Sequence, residues 1–142
     1  VNQAKNSNSM LIEFRDAPFA DVPEIQDRAD VLVLSLEKGA ARFALPSKLV
    51  AYMFSGKPVL ACVDQDSDTA RVVMQAECGW VTEPEDCETL AKAMKNAAAL
   101  PREIMNLYGN SARKYAMDHF SRSSNLLKLS EIMENTNTEP IS

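Results

Sequence analysis

Ser47 and Lys48, standing directly after Pro46, are the residues of this 142-residue chain best suited to hold a ligand. The stretch Leu45-Pro46-Ser47-Lys48-Leu49-Val50-Ala51-Tyr52-Met53-Phe54-Ser55-Gly56 reads as a helix over Pro46 to Ser55 that opens on proline and stops at glycine. Proline suits the first helical position, where its missing N–H is not needed. A hydroxyl, an ammonium and free backbone N–H groups then gather at the positive end of the helix dipole, where a phosphate is held. The loop leading into this helix adds Lys38, Gly39 and Arg42. Two cations, a glycine and a helix N-terminus together make a diphosphate cradle. The same residues also suit a solvated surface loop that enters a well-capped helix, and their types alone leave both readings open.

Other candidates for chemistry are weaker. Asp64, Asp66 and Asp68 cluster, and carboxylates can hold a divalent cation through oxygen. No glycine or closing glutamate completes a calcium-loop pattern, so turn and capping roles are expected for them. Cys62, Cys78 and Cys87 are odd in number and lack Cys-x-x-Cys spacing, which fits free thiols held mainly for packing. His119, the only histidine, falls at a helix end where a cation complements the dipole. It has no nucleophile at a recognisable spacing. Trp80 and the pair Tyr108 and Tyr115 read as packing residues. No metal site, cofactor or catalytic residue is assigned.

The elements that must position these residues follow from pattern. Met10 to Phe14 is a strand candidate. A short helix over Phe19 to Gln26 follows, with Asp21 as N-cap and Pro23 in its first turn. Val31 to Ser35 is a continuous apolar strand, as expected where both sheet faces are covered. Lys57-Pro58 restarts the chain after Gly56 as the strand Val59 to Val63. A capped turn at residues 64–67 opens a helix to about Glu77, and Trp80 to Thr82 is the last strand. From Glu85 onward the pattern is helical. The expected stripes are Leu90, Ala91, Met94 and Ala98; then Ile104, Leu107, Tyr108, Ala112 and Tyr115 after Pro101; then Leu126, Leu129 and Met133 after Ser121 or Ser123. Strands alternating with helices imply a Rossmann-like α/β/α domain with a parallel sheet of about four strands and three C-terminal helices. The expected division is a polar segment over residues 1–9, the domain over 10–133, and a frayed tail over 134–142.

The chain is long enough for one domain with a real core. Its apolar share of 46% and charged share of 25% are ordinary for a globular protein. A formal charge of −5 argues against nucleic-acid binding. No run of about 18 apolar residues is present, so no spanning helix is expected. No signal-peptide pattern opens the chain, and reduced cysteines fit a cytoplasmic setting. An opening on Val1 and a polar stretch reads as the interior of a longer polypeptide.

Taken together, "PSKLVAYMFSGKPVLA", the downstream Cys78-Gly79-Trp80-Val81, the run Glu85 to Ala91 and the upstream Ala29 to Ser35 resemble the donor-binding domain of GT-B glycosyltransferases. The resemblance is to the retaining family 4 enzymes of bacterial capsule, colanic acid and O-antigen synthesis, and it covers roughly residues 10 to 130. It implies sugar transfer from a UDP- or GDP-sugar to a lipid-linked or saccharide acceptor. In relatives, the segment matching Ala44 to Lys48 contacts the diphosphate, which places Leu45, Pro46, Ser47 and Lys48 in the site. Ser67-Asp68-Thr69-Ala70 also follows the family pattern and adds Asp68. Metal is usually dispensable there, because helix N-termini and Lys/Arg neutralise the leaving group.

Two departures matter. Many family members carry a Glu-x7-Glu pair, and the matching positions here are Phe43 and Ala51, without carboxylates. Either the donor is gripped by Ser47, Lys48 and backbone N–H groups alone, or donor affinity is lost. The family's donor domain has six strands in the order 3-2-1-4-5-6, and the four candidates here match the last four. The first two βα units and the acceptor-binding domain are therefore expected elsewhere, that domain being a partner and the route to peripheral membrane association. This portion alone is expected to be inactive and prone to self-association at its open edge. The alternatives are a non-catalytic α/β binding module and a GT-B-fold sugar-nucleotide epimerase.

Overall fold

The computed structural model of the chain describes residues 13, 16–40 and 45–128. The strand expected at Met10 to Phe14, Arg42, Phe43, Leu129, Met133 and the expected tail lie outside these, apart from Glu13. After a 3-10 turn at Phe19–Asp21 come α1 (Val22–Asp27), β1 (Leu32–Ser35), α2 (Ser47–Phe54), β2 (Val59–Cys62), α3 (Asp68–Gln75), β3 (Gly79–Thr82), α4 (Cys87–Ala98) and α5 (Arg102–Phe120). A further helix, α6, is described over residues 122–128. The strands form a parallel sheet in the order β1-β2-β3. The α/β class is as the alternating pattern implies, with three of the four expected strands among the described residues.

Side chains alternate between the two faces of a strand, and here the faces differ. On one, Leu34, Val59, Ala61 and Val63 meet Leu49 and Met53 of α2, Ala70 and Val73 of α3, and Ala112 and Ala116 of α5. Burying a leucine or valine here contributes about 1.5–3 kcal/mol each, so this layer fixes α2 and α3 over the sheet. On the other face α4 packs against β2 and β3, and no helix covers β1 among the described residues. Val33 is 41% exposed. The continuous apolar run of β1 is therefore not buried on both sides; its residues alternate between buried and exposed.

Local signals account for the helix ends with small corrections. Pro46 is the N-cap of α2, not its first helical residue. Gly56 ends that helix at φ 69°, a conformation only glycine adopts at no steric cost. Ser67 caps α3, its Oγ accepting the Ala70 N–H at 3.1 Å. Asp86 caps α4 by accepting from the Thr89 N–H at 2.9 Å. Asp21 precedes α1 but makes no capping hydrogen bond. Ser121 opens α6, accepting the Ser124 N–H at 3.2 Å.

The C-terminal stripes are shifted from those expected. Along α4 the partly or fully buried positions are Leu90, Ala93 and Ala97, whereas Ala91, Met94 and Ala98 are exposed. Along α5 they are Met105, Tyr108, Gly109, Ser111, Ala112, Tyr115, Ala116 and Phe120, whereas Ile104 and Leu107 face outward. The reason is close packing at Gly109. A Cβ there would sit 2.2 Å from the Gly56 carbonyl oxygen, so α5 turns its small residues, not its largest, toward the turn after α2. Trp80 packs edge-on against Tyr108 at 5.1 Å, as a packing role predicts.

Candidate functional site

The carboxyl ends of β1 and β2 open into the two loops that deliver the chain to α2 and α3. In an open parallel sheet this is the end where ligands bind. Leu49 and Met53, fully buried, anchor α2 on the sheet, which leaves Ser47, Lys48 and Ala51 exposed on its other side. Pro46 offers no side-chain cap, and its carbonyl accepts the Leu49 N–H at 3.0 Å. The N–H groups of Ser47 and Lys48 thus point out of an uncapped helix start, beside a hydroxyl and an ammonium. That arrangement can accept an anion. Leu45, half-buried, packs against the core and fixes the approach to this turn.

The preceding loop contains a turn in which the Ala40 N–H donates to the Glu37 carbonyl at 3.0 Å, with Gly39 at φ 77°. Lys38 and Gly39 are exposed. The Gly39 N–H donates to Asp64 Oδ2 at 2.6 Å, tying the loop after β1 to the loop after β2. This tie goes beyond the turn role that spacing assigns to Asp64. It also engages one N–H of the expected cradle and sets a carboxylate beside it. Asp68 lies in the first turn of α3 with its Oδ1 2.6 Å from Arg71 Nη1. Its carboxylate is neutralised locally, by a partner on its own helix. Among the described residues no three His, Cys, Asp or Glu side chains converge to hold a metal ion.

A second crevice, of about 320 Å³, lies at the same end of the sheet. Glu37, Cys62, Glu83, Asp86, Cys87 and Leu90 are among its walls. Ser35 and Cys62, which also line it, stand in register with Thr82 on the sheet. Its carboxylates suit hydroxyl groups better than a bare phosphate. Asp86 is held below the usual carboxylate range, first by its side-chain hydrogen bond from Thr89 and then by the Thr89 N–H; its role is to cap α4. This crevice has no signature in any short sequence pattern, because it joins residues from three strand ends. His119 stacks on Tyr115 at 4.1 Å in the last turn of α5, the place a helix-end role predicts.

Fold and site define a class: an open parallel α/β domain of the Rossmann type, with a helix start free to receive an anion at the ligand-binding end of its strands. The chain belongs to the glycosyl transferases group 1 family, whose model matches residues 2–99. This is the GT-B, family 4 class to which the motifs from Ala29 to Ala91 point. Over 99 residues the chain is 26% identical to a Pseudomonas aeruginosa protein named "Probable glycosyltransferase WbjE". That alignment takes in 70% of this chain and 24% of the relative, so the chain spans about a quarter of the relative's length. No solved structure matches the chain. No helix among the described residues is long and apolar enough to cross a membrane.

Proposed function

We propose that this chain is the donor-binding part of a retaining glycosyltransferase that moves a sugar from a UDP- or GDP-sugar to a lipid-linked or saccharide acceptor in surface polysaccharide synthesis. The supporting observation is the uncapped start of α2, where Ser47 and Lys48 are exposed at the carboxyl end of a parallel sheet. In this reading the Ser47 and Lys48 N–H groups and the Lys48 ammonium hold the diphosphate. Leu45 and Pro46 shape the turn, and the preceding loop, which carries Lys38, Gly39 and Arg42, adds its two cations to the cradle. Asp68 contributes only if its pairing with Arg71 is exchanged for a donor hydroxyl. Acceptor binding belongs to a separate domain at the inner face of the membrane.

The test is calorimetry of UDP and GDP with the enzyme containing this domain and with its Lys48→Ala variant. Loss of one charge-assisted contact weakens binding by about 1.5–3 kcal/mol, roughly 10- to 150-fold. Unchanged affinity for both nucleotides would remove Lys48 from the site and favour a solvated loop. The missing carboxylate at Ala51 favours a second reading, a non-catalytic binding module. Turnover with a lipid-linked acceptor in the enzyme containing this domain distinguishes that module, and an epimerase, from a transferase.

A further inference from the structure

The tie between Gly39 and Asp64 sets a carboxylate where the proposed donor would bring a phosphate. Residues 37–40 form a turn in which the Ala40 N–H donates to the Glu37 carbonyl and Gly39 holds φ 77°, the pattern of a type II turn. Such a turn uses the N–H of its last residue and leaves that of its third residue for another acceptor. Here the acceptor is Asp64 Oδ2 at 2.6 Å, 25 positions along the chain. Among the described residues no atom lies within 4 Å of the place a Cβ would take at Gly39. The turn is open on that side, and glycine serves its backbone conformation, not packing.

The two halves of the tie differ in support. Asp64 follows Val63, which is buried and donates its N–H to the Thr82 carbonyl at 2.9 Å. The Asp64 carbonyl accepts the Ser67 N–H at 3.0 Å, and Ser67 is buried as the cap of α3. A braced backbone therefore carries the carboxylate, whereas Lys38 and Gly39 stand exposed. A carboxylate and a phosphate oxygen make the same kind of charge-assisted bond to a backbone N–H, and two anions side by side repel.

We propose that Asp64 is an internal competitor for the diphosphate: its carboxylate holds the Gly39 N–H until a phosphate oxygen takes its place, so that binding exchanges one anion for another at the same donor. The proposal rests on the reading of the loop after β1 and the start of α2 as the diphosphate site. Its consequence is that nucleotide affinity is held below what the cations and N–H groups alone would give. Release of the nucleoside diphosphate after transfer is faster for the same reason, because the carboxylate returns to the N–H that the phosphate leaves.

The test uses the enzyme containing this domain and its Asp64→Asn, Asp64→Ala and Lys48→Ala variants, titrated with UDP and GDP by calorimetry. Exchange of the Gly39 amide is followed by mass spectrometry with and without nucleotide. Removing the Asp64 charge is expected to tighten binding roughly two- to fivefold, the scale of an exposed charge interaction. Without nucleotide, the Gly39 amide of Asp64→Ala should exchange faster than the parent's, and added nucleotide should slow it. If Asp64→Ala fails to fold, Asp64→Asn still decides. Weaker binding by both Asp64 variants overturns the proposal and makes Asp64 a residue that orders the cradle. Unchanged binding by both, with Lys48→Ala still weakened, overturns it and leaves the diphosphate reading intact. Tighter binding without any slowing of the Gly39 amide by nucleotide overturns it too, by reducing Asp64 to a remote charge. Absence of binding in the parent and every variant removes the diphosphate reading, and the proposal with it.

Discussion

Ala51 decides between two readings of the proposed donor site. The family resemblance sets a glutamate at its position, and its side chain is exposed on the same side of α2 as Ser47 and Lys48. A carboxylate there would be solvated, so it escapes the cost of burying an unpaired charge. Ala51→Glu is therefore expected to fold with stability within about 0.5 kcal/mol of the parent, as exposed substitutions do. Its affinity for a nucleotide sugar should equal or exceed the parent's in calorimetry. A large fall in melting temperature would mean that the position is packed against something in solution. The cysteines are equally position-dependent. Burial pushes the Cys78 thiol from 9.0 up to about 11, the dominant effect, slightly offset by a backbone hydrogen bond. Cys87 is exposed, whereas Cys62 and Cys78 are buried. A disulfide reagent at neutral pH should label one thiol, Cys87, quickly, and the other two only on unfolding. The sign of the pH effect follows. Between 9.0 and about 11 the unfolded chain loses the Cys78 proton before the folded chain does, so stability falls as pH rises through that window. Cys78→Ala should flatten the fall in chemical denaturation. Fast labelling of all three thiols would contradict the burial.

Elements were legible where local chemistry defines them. Pro46, Gly56 and Ser67 mark helix ends through backbone geometry and capping, effects confined to a few residues, and α2, α3 and the three described strands lie within a residue or two of expectation. The α4 and α5 stripes were not, because the phase of an amphipathic helix depends on what it packs against. Leu107 looks like core by hydropathy yet is 61% exposed, while Gly109, which hydropathy ignores, is buried. The only signal available was a glycine in the middle of a helical pattern, which costs about 1 kcal/mol relative to alanine and therefore calls for a packing reason. Gly109→Ala is the sharpest test of this contact. Helix propensity alone would stabilise α5, but the added Cβ meets the Gly56 carbonyl at 2.2 Å, and two backbones must separate. We expect a net destabilisation of about 1–3 kcal/mol, the scale of overpacking in a core, measured by urea denaturation. Stabilisation would show that α5 can shift on α2 without loss. The candidate site was legible only in part for a related reason. Ser47 and Lys48 sit in a continuous motif, whereas the Gly39–Asp64 tie and the Ser35, Cys62 and Thr82 row join residues far apart in sequence.

At the scale of the whole molecule the open question is the β1 edge. Leu32 and Leu36 donate their N–H groups to Pro58 and Cys62, so by alternation the Val33 and Ser35 N–H groups point away from β2. Exposed edges are normally guarded by charge, proline or a bulge, and Leu32–Ser35 has none of these. The segment Met10 to Phe14 has the composition of a strand, and the connection from it to β1 contains α1, enough for a parallel crossover. A second copy of the chain could instead pair along the same edge. Either outcome protects the outward amides of Val33 and Ser35 from exchange, and concentration separates them. Protection that persists on dilution, with a monomer in light scattering, indicates pairing within the chain. Protection that fades as dimers dissociate indicates pairing between copies, and Val33→Lys should then shift the mixture toward monomer by placing a charge on the edge. Rapid exchange of both amides in a monodisperse monomer would mean that the edge stays open, and the expectation of pairing would be wrong.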